Sequence, residues 1–258
     1  MRDDDLLAVL RDTADAVGEA FRTGVDDYRA GGERDDQYAL DLVTDAVAVE
    51  RLTGAGLGVL SEESGRHHPD RELCVVVDPI DGSTNASRGI PWYATSLAVV
   101  DAEGVRAALV VNQASGVRYE GVRGGGAPRA GAPISVATPA PLSESLIAMN
   151  GYADRYVGWR QYRVFGAAAL DLCLVAEGAI EGYLDCAGAN LGVWDYLGGM
   201  CILQEAGGVM ADAFDEPLVV LEHAARRGPV AACSPDLLDE LVAARRDLER
   251  VSSLTRTP

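Results

Sequence analysis

Between Asp4 and Thr23 the apolar side chains Leu6, Leu7, Val9, Leu10, Ala14, Val17 and Phe21 recur at helical spacing. That period predicts an amphipathic helix with one face for the core. A second helix is predicted from Thr44 or Asp45, either of which can cap it, to Leu52. The polar, glycine-bearing stretch 30–36 between them reads as a connector. Short apolar runs at 57–60 and 73–77 predict buried strands, and both end in acids. Strands at 95–100, 105–111 and 117–122, separated by the turn residues 101–104 and 114–116, predict an antiparallel meander. The Pro-rich segment 127–141 marks a boundary between lobes over 1–135 and 136–258. Beyond it, strands are predicted at 146–150, 180–184 and 230–233. Helices are predicted at 167–176, from Trp194-Asp195 to Gly207-Gly208, and from Ser234-Pro235 onward. The alternation is too irregular for a doubly wound sheet and implies an α+β architecture of helices layered on mixed sheets.

Charge narrows the class. The net charge is −18, and all 22 basic residues are arginine; there is no lysine. No basic stripe exists to displace counterions from a nucleic-acid backbone, so nucleic acid is not an expected partner. An acid excess of this size fits a protein working in high salt, where self-repulsion is screened. No apolar stretch is long enough to span a bilayer. The opening Met1-Arg2-Asp3-Asp4-Asp5 is unlike a secretory leader, so a cytoplasmic location is expected. Five scattered cysteines with no C-x-x-C read as buried reduced thiols. His67 and His68 read as surface residues, and His223 is the only other histidine, which leaves no support for a histidine metal site or a Ser-His-Asp triad.

Candidate chemistry concentrates in Asp78-Pro79-Ile80-Asp81-Gly82-Ser83-Thr84-Asn85. Two carboxylates at a strand end, followed by small residues with free amides, suit a hard divalent cation and a phosphate. The same residue types also build an ordinary Asx-turn. Two further acidic stations lie at Glu62-Glu63 after a strand and at Asp195 at a helix start, where Asp195 could equally act only as a cap.

These stations together resemble the inositol monophosphatase superfamily, which includes archaeal-type fructose-1,6-bisphosphatases. The resemblance rests on Asp78 to Asn85, Glu62-Glu63-Ser64, Trp194-Asp195 and Glu205-Ala206-Gly207-Gly208. It is supported by Asp41-Leu42-Val43-Thr44, Arg163 to Ala168, and Val230-Ala231-Ala232. It implies a five-layer αβαβα sandwich, hydrolysis of phosphomonoesters dependent on two or three Mg²⁺ ions, and a homodimer. By the resemblance, Glu62, Asp78 and the Ile80 carbonyl hold one ion, and Asp78, Asp81 and Asp195 a second. Gly82, Ser83 and Thr84 take the phosphate; Ser83, with Glu62, orients the attacking water. Gly166, Ala167, Ala168 and Asp185 contact the substrate. The chain departs from the family pattern at Val47, where an aspartate is common; Asp45, directly after Thr44, is the candidate to complete the water-activating group.

The function expected is release of phosphate from inositol-1-phosphate, fructose-1,6-bisphosphate or both, with Arg155, Arg160 and Arg163 as candidate cations for a second phosphate. The alternatives are a 3′-phosphoadenosine 5′-phosphate phosphatase, or a non-catalytic relative that binds metal or anions.

Overall fold

In the computed structural model, residues 1–23 and 39–255 are described. The connector 30–36, including Arg34, lies outside them. Alternation along each central strand builds the layers. In β3 (Cys74–Asp81), Val75 and Val77 face one core, while Cys74 and Val76 face another. The first of these cores is closed by α1 (Asp3–Thr23) and α2 (Ala39–Gly54). The second is closed by α4 (Ala168–Ala176) and α5 (Val193–Glu205).

β3 lies in an eight-stranded sheet. Its other members are β1 (Gly58–Ser61), β2 (Gly65–His67), β4 (Ala94–Asp101), β5 (Gly104–Asn112), β6 (Arg118–Val122), β7 (Pro128–Arg129) and β8 (Ala132–Pro133). Their order is β2-β1-β3-β4-β5-β6-β7-β8, and β1 runs parallel to β3 while the remaining neighbours are antiparallel.

The second sheet holds β9 (Leu146–Gly151), β10 (Gln161–Arg163), β11 (Gly182–Cys186), β12 (Val209–Asp212) and β13 (Pro229–Ala232), ordered β10-β9-β11-β13-β12. Its outer face packs on α6 (Pro235–Thr255) through Ile147, Leu184, Val230, Leu237 and Leu241. The layers therefore run α1/α2, sheet, α4/α5, sheet, α6: the expected αβαβα sandwich. Close approach of α5 to the first sheet needs small residues. A Cβ on Gly198 would lie 2.5 Å from the Ser96 hydroxyl and 3.1 Å from Val110.

Four local expectations change. α2 already covers Ala39 to Gly54, so Thr44 and Asp45 are interior rather than caps; the Thr44 hydroxyl donates to the Leu40 and Asp41 carbonyls at 2.9 and 3.0 Å. β3 does not stop before the aspartates but continues through Asp81. Its pairing with β4 shifts between Asp78 and Asp81, a bulge that re-aims both side chains. β10 was not predicted, because three exposed edge residues carry no apolar alternation. His67 belongs to β2 rather than to a loop. The cysteines are free as expected, four buried and Cys186 partly so.

Candidate active site

The bulge in β3 frees the Pro79 and Ile80 carbonyls from the ladder. Side chains take them up: Thr95 Oγ1 donates to the Pro79 carbonyl at 2.9 Å, and Ser83 Oγ to the Ile80 carbonyl at 2.8 Å. The chain then turns at Gly82, whose φ of 87° is left-handed, into the short helix α3 (Ser83–Arg88). A Cβ at Gly82 would sit 2.9 Å from the Gly166 carbonyl, so this turn is pressed against the far side of the site. Asn85 locks that contact. Its Nδ2 donates to the Trp92 and Phe165 carbonyls, each at 2.8 Å.

The acids predicted as separate stations meet here. Asp78, Asp81 and Asp195 each offer an oxygen, and these atoms lie within 4.8 Å of one another. Each is placed by different local physics. Asp81 accepts hydrogen bonds from the Ala168 and Ala169 amides at 3.2 and 2.7 Å, satisfying donors that the start of α4 leaves open. Asp195 sits three residues inside α5 and reaches back to the Gly192 amide at 2.6 Å. It is a cap in part, as the sequence allowed, and it also joins the cluster with Asp78 and Asp81. Asp78 is fully buried, and its Oδ1 has no hydrogen-bond partner among the described residues.

Burial without a cation drives every member of the cluster toward its neutral form. Glu62 is pushed up to about 8, first by burial and then by the charges of Asp195, Glu63 and Asp41. Asp195 is likewise raised to about 8 by burial and by Asp81, partly offset by the Gly192 amide and the Arg226 charge. Burial, then Glu62 and Asp81, hold Asp78 well above the carboxylate range. Asp81 is also held well above that range, chiefly by burial, against the pull of the Ala168 and Ala169 amides. Converging carboxylates with an orphaned buried oxygen are the donor set a hard, oxygen-preferring cation satisfies. The residues fit a divalent metal.

The other predicted residues fall around this centre. Asp45 is buried and receives a hydrogen bond from the Ser61 hydroxyl, which in turn accepts from the Glu63 amide at 3.2 Å. Asp185, at the end of β11, is fully buried. Its Oδ1 is held by Asn150 Nδ2 at 2.9 Å and the Ala187 amide at 3.1 Å, while Oδ2 has no partner among the described residues. Gly166 and Ala167 lie over the Gly82 turn, and the Ala168 amide is already donated to Asp81. The three candidate arginines are engaged elsewhere or line other surfaces. Arg155 pairs with Asp247 at 2.6 Å, Arg163 folds onto the Tyr162 carbonyl and Gln161, and Arg160 lines a cavity of about 230 Å³ with Glu144 and Glu181.

Two contributors were not singled out from the sequence. Asp41, buried in the first turn of α2, adds its charge to Glu62 and Asp78; its place in the Asp41 to Thr44 motif was the available signal. Asp171 accepts from Trp92 Nε1 at 2.9 Å, is raised to about 7 by burial, and adds its charge to Asp81. Nothing in a lone acid within an apolar helix pointed to it.

Comparisons with known proteins agree with this architecture. The inositol monophosphatase family model matches residues 3–250. A fructose-1,6-bisphosphatase/inositol-1-monophosphatase of Archaeoglobus fulgidus is 33% identical over 227 residues, covering 84% of this chain and 88% of that protein. Nus factor SuhB of Escherichia coli is 27% identical, covering 94% of this chain and 91% of that protein. The solved inositol monophosphatase from Anabaena superposes with a TM-score of 0.78 at 26% identity, covering 97% of this chain and 98% of that one. With its acidic centre and five layers in place, this chain belongs to the inositol monophosphatase family.

Proposed function

We propose that the chain is a Mg²⁺-dependent phosphomonoesterase acting on a sugar or cyclitol phosphate, with inositol-1-phosphate and fructose-1,6-bisphosphate as its candidate substrates. The observation that carries this reading is the convergence of Asp78, Asp81 and Asp195 within 4.8 Å, with the Asp78 Oδ1 unpaired. Glu62, Asp78 and the Ile80 carbonyl hold one ion; Asp78, Asp81 and Asp195 hold another. Bound Mg²⁺ supplies Lewis-acid activation of water and neutralises charge on the ester oxygen that leaves.

The protein's own groups do the rest. The first-turn amides of Gly82, Ser83 and Thr84 face the phosphate oxygens. Because the Ser83 hydroxyl proton is committed to the Ile80 carbonyl, its oxygen accepts a hydrogen bond from the water and aims that water's lone pair at phosphorus. Glu62 is the base that takes the one proton the water gives up, with Asp45 and Ser61 bracing the end of β1. Gly166, Ala167, Ala168 and Asp185 form the side toward the sugar.

The family resemblance also supports a homodimer, for which Tyr152, Tyr156, Tyr162 and Val164, exposed on and beside the edge strand β10, provide apolar surface. The acidic, lysine-free composition supports work at high salt. Among the described residues no helix is long and apolar enough to cross a membrane. Phosphate release from the two substrates, with and without Mg²⁺ and in high salt, is the test. Release from at least one substrate only with Mg²⁺ is expected, and no Mg²⁺-dependent release from either would end the proposal.

A further inference from the structure

His223 is the one histidine close to the acidic centre. It lies in the irregular segment between β12 and β13, far in sequence from both Glu62 and Asp195. Its Nε2 is 2.8 Å from the Glu62 carbonyl. A carbonyl only accepts, so Nε2 carries the proton and donates. The same imidazole stacks on Trp194, with centroids 4.9 Å apart and planes tilted by 34°. Trp194 directly precedes Asp195. On that indole lies the Arg226 guanidinium, its Cζ 5.0 Å from the ring centre. Arg226 is held there by Nη1, which donates to the His223 and Ala225 carbonyls at 2.7 and 2.9 Å.

We propose that His223, with Arg226, is a positioning residue for the metal: one side chain ties the end of β1, which presents Glu62, to the start of α5, which presents Asp195. The two acids come from adjacent layers, Glu62 from the end of β1 in the first sheet and Asp195 from the start of α5, and the charge of either disfavours that of the other. A ring hydrogen-bonded to one backbone and stacked on the neighbour of the other opposes their drifting apart. The arrangement needs no protonation change at His223. It needs only the Nε2–H donor and the flat face, which is why its chemistry is that of a clamp and not of a ligand or a base. The guanidinium on Trp194 keeps the indole in the stack by a cation–π contact. The clamp rests on the metal-dependent reading above.

Calorimetric titration of Mg²⁺ into the metal-free full-length protein tests it. His223→Ala is expected to weaken Mg²⁺ about tenfold, the scale seen when groups that orient metal ligands are removed. His223→Gln, which keeps an N–H for the Glu62 carbonyl, recovers part of that loss. The melting temperature in EDTA, read in parallel, reports any purely structural contribution. His223→Ala with Mg²⁺ affinity within threefold of the parent overturns the clamp, whatever its melting temperature. So does His223→Gln binding as weakly as His223→Ala. If His223→Ala does not fold, Arg226→Ala, whose exposed side chain leaves no cavity, carries the test: a severalfold weaker Mg²⁺ affinity is expected, and an unaltered one overturns the clamp. A parent protein that takes up no Mg²⁺ would instead refute the metal-dependent function itself.

Discussion

The two sheets sandwich the same helix pair, α4 and α5, yet they bring residues to the site in different ways. In the eight-stranded sheet, β3 is buried at every position and paired on both sides, by β1 and β4. Its aspartates inherit that rigidity, and the bulge between them sets their aim. The five-stranded sheet is less enclosed. Its edge strand β10 is exposed at all three residues, and Asp185 at the end of β11 depends on side-chain and turn partners for its orientation. A metal needs ligands held to a few tenths of an ångström, and a central strand provides them. In the proposed function Asp185 of this second sheet lies toward the sugar, where a pocket must adapt.

Asp78→Asn probes this contrast hardest. If Asp78 is the ligand proposed, removing its charge from the rigid sheet should lower kcat/KM by about a thousandfold or more, several kcal/mol of transition-state stabilisation. Its melting temperature in EDTA at pH 8 should not fall, because a neutral amide replaces a carboxyl that burial already drives toward its neutral form. Activity within tenfold of the parent would remove Asp78 from the metal set.

The same crowding predicts a pH dependence. In the metal-free folded chain Glu62 and Asp195 keep their protons up to about pH 8, whereas in the unfolded chain they lose them near pH 4, about the ordinary carboxylate value. Between those limits the unfolded state binds fewer protons, so stability falls as pH rises from about 4 to about 8 and levels off above. Thermal melts in EDTA across that window check the slope, and Mg²⁺ should raise the melting temperature more at pH 8 than at pH 5. A melting temperature that rises over this window would contradict the buried acidic cluster.

Gly82→Ala tests the seam between the two halves. The positive φ and the 2.9 Å approach to the Gly166 carbonyl predict a loss of about 1–3 kcal/mol in denaturant unfolding. Asp185→Asn, on the adaptable side, should cost about tenfold in kcat/KM, mostly as a higher KM. A loss equal to that of Asp78→Asn would erase the contrast between the sheets. Smallest of all, Arg51→Ala, which breaks an exposed pair with Asp12, should change stability by less than about 0.5 kcal/mol.

Much of this was legible along the chain because it is local. The continuous apolar runs of β3, β4 and β5, the amphipathic α1, and the glycine turn after Asp81 each follow from residues adjacent in sequence. Motif resemblance added Glu62 and Asp195 as partners of Asp78 and Asp81. What lay beyond reach was long-range. The extent of α2 depends on packing over β3 and not on the cap residues near Thr44, and the bulge in β3 depends on its pairing with β4. The amides that orient Asp81 come from a helix that starts 87 residues later. His223 had no assigned role until folding laid it between the Glu62 carbonyl and Trp194. Chemical identity and period travel with the chain. Which carboxylate is held, by which amide, and at what electrostatic cost is set only when distant segments share one low-dielectric volume.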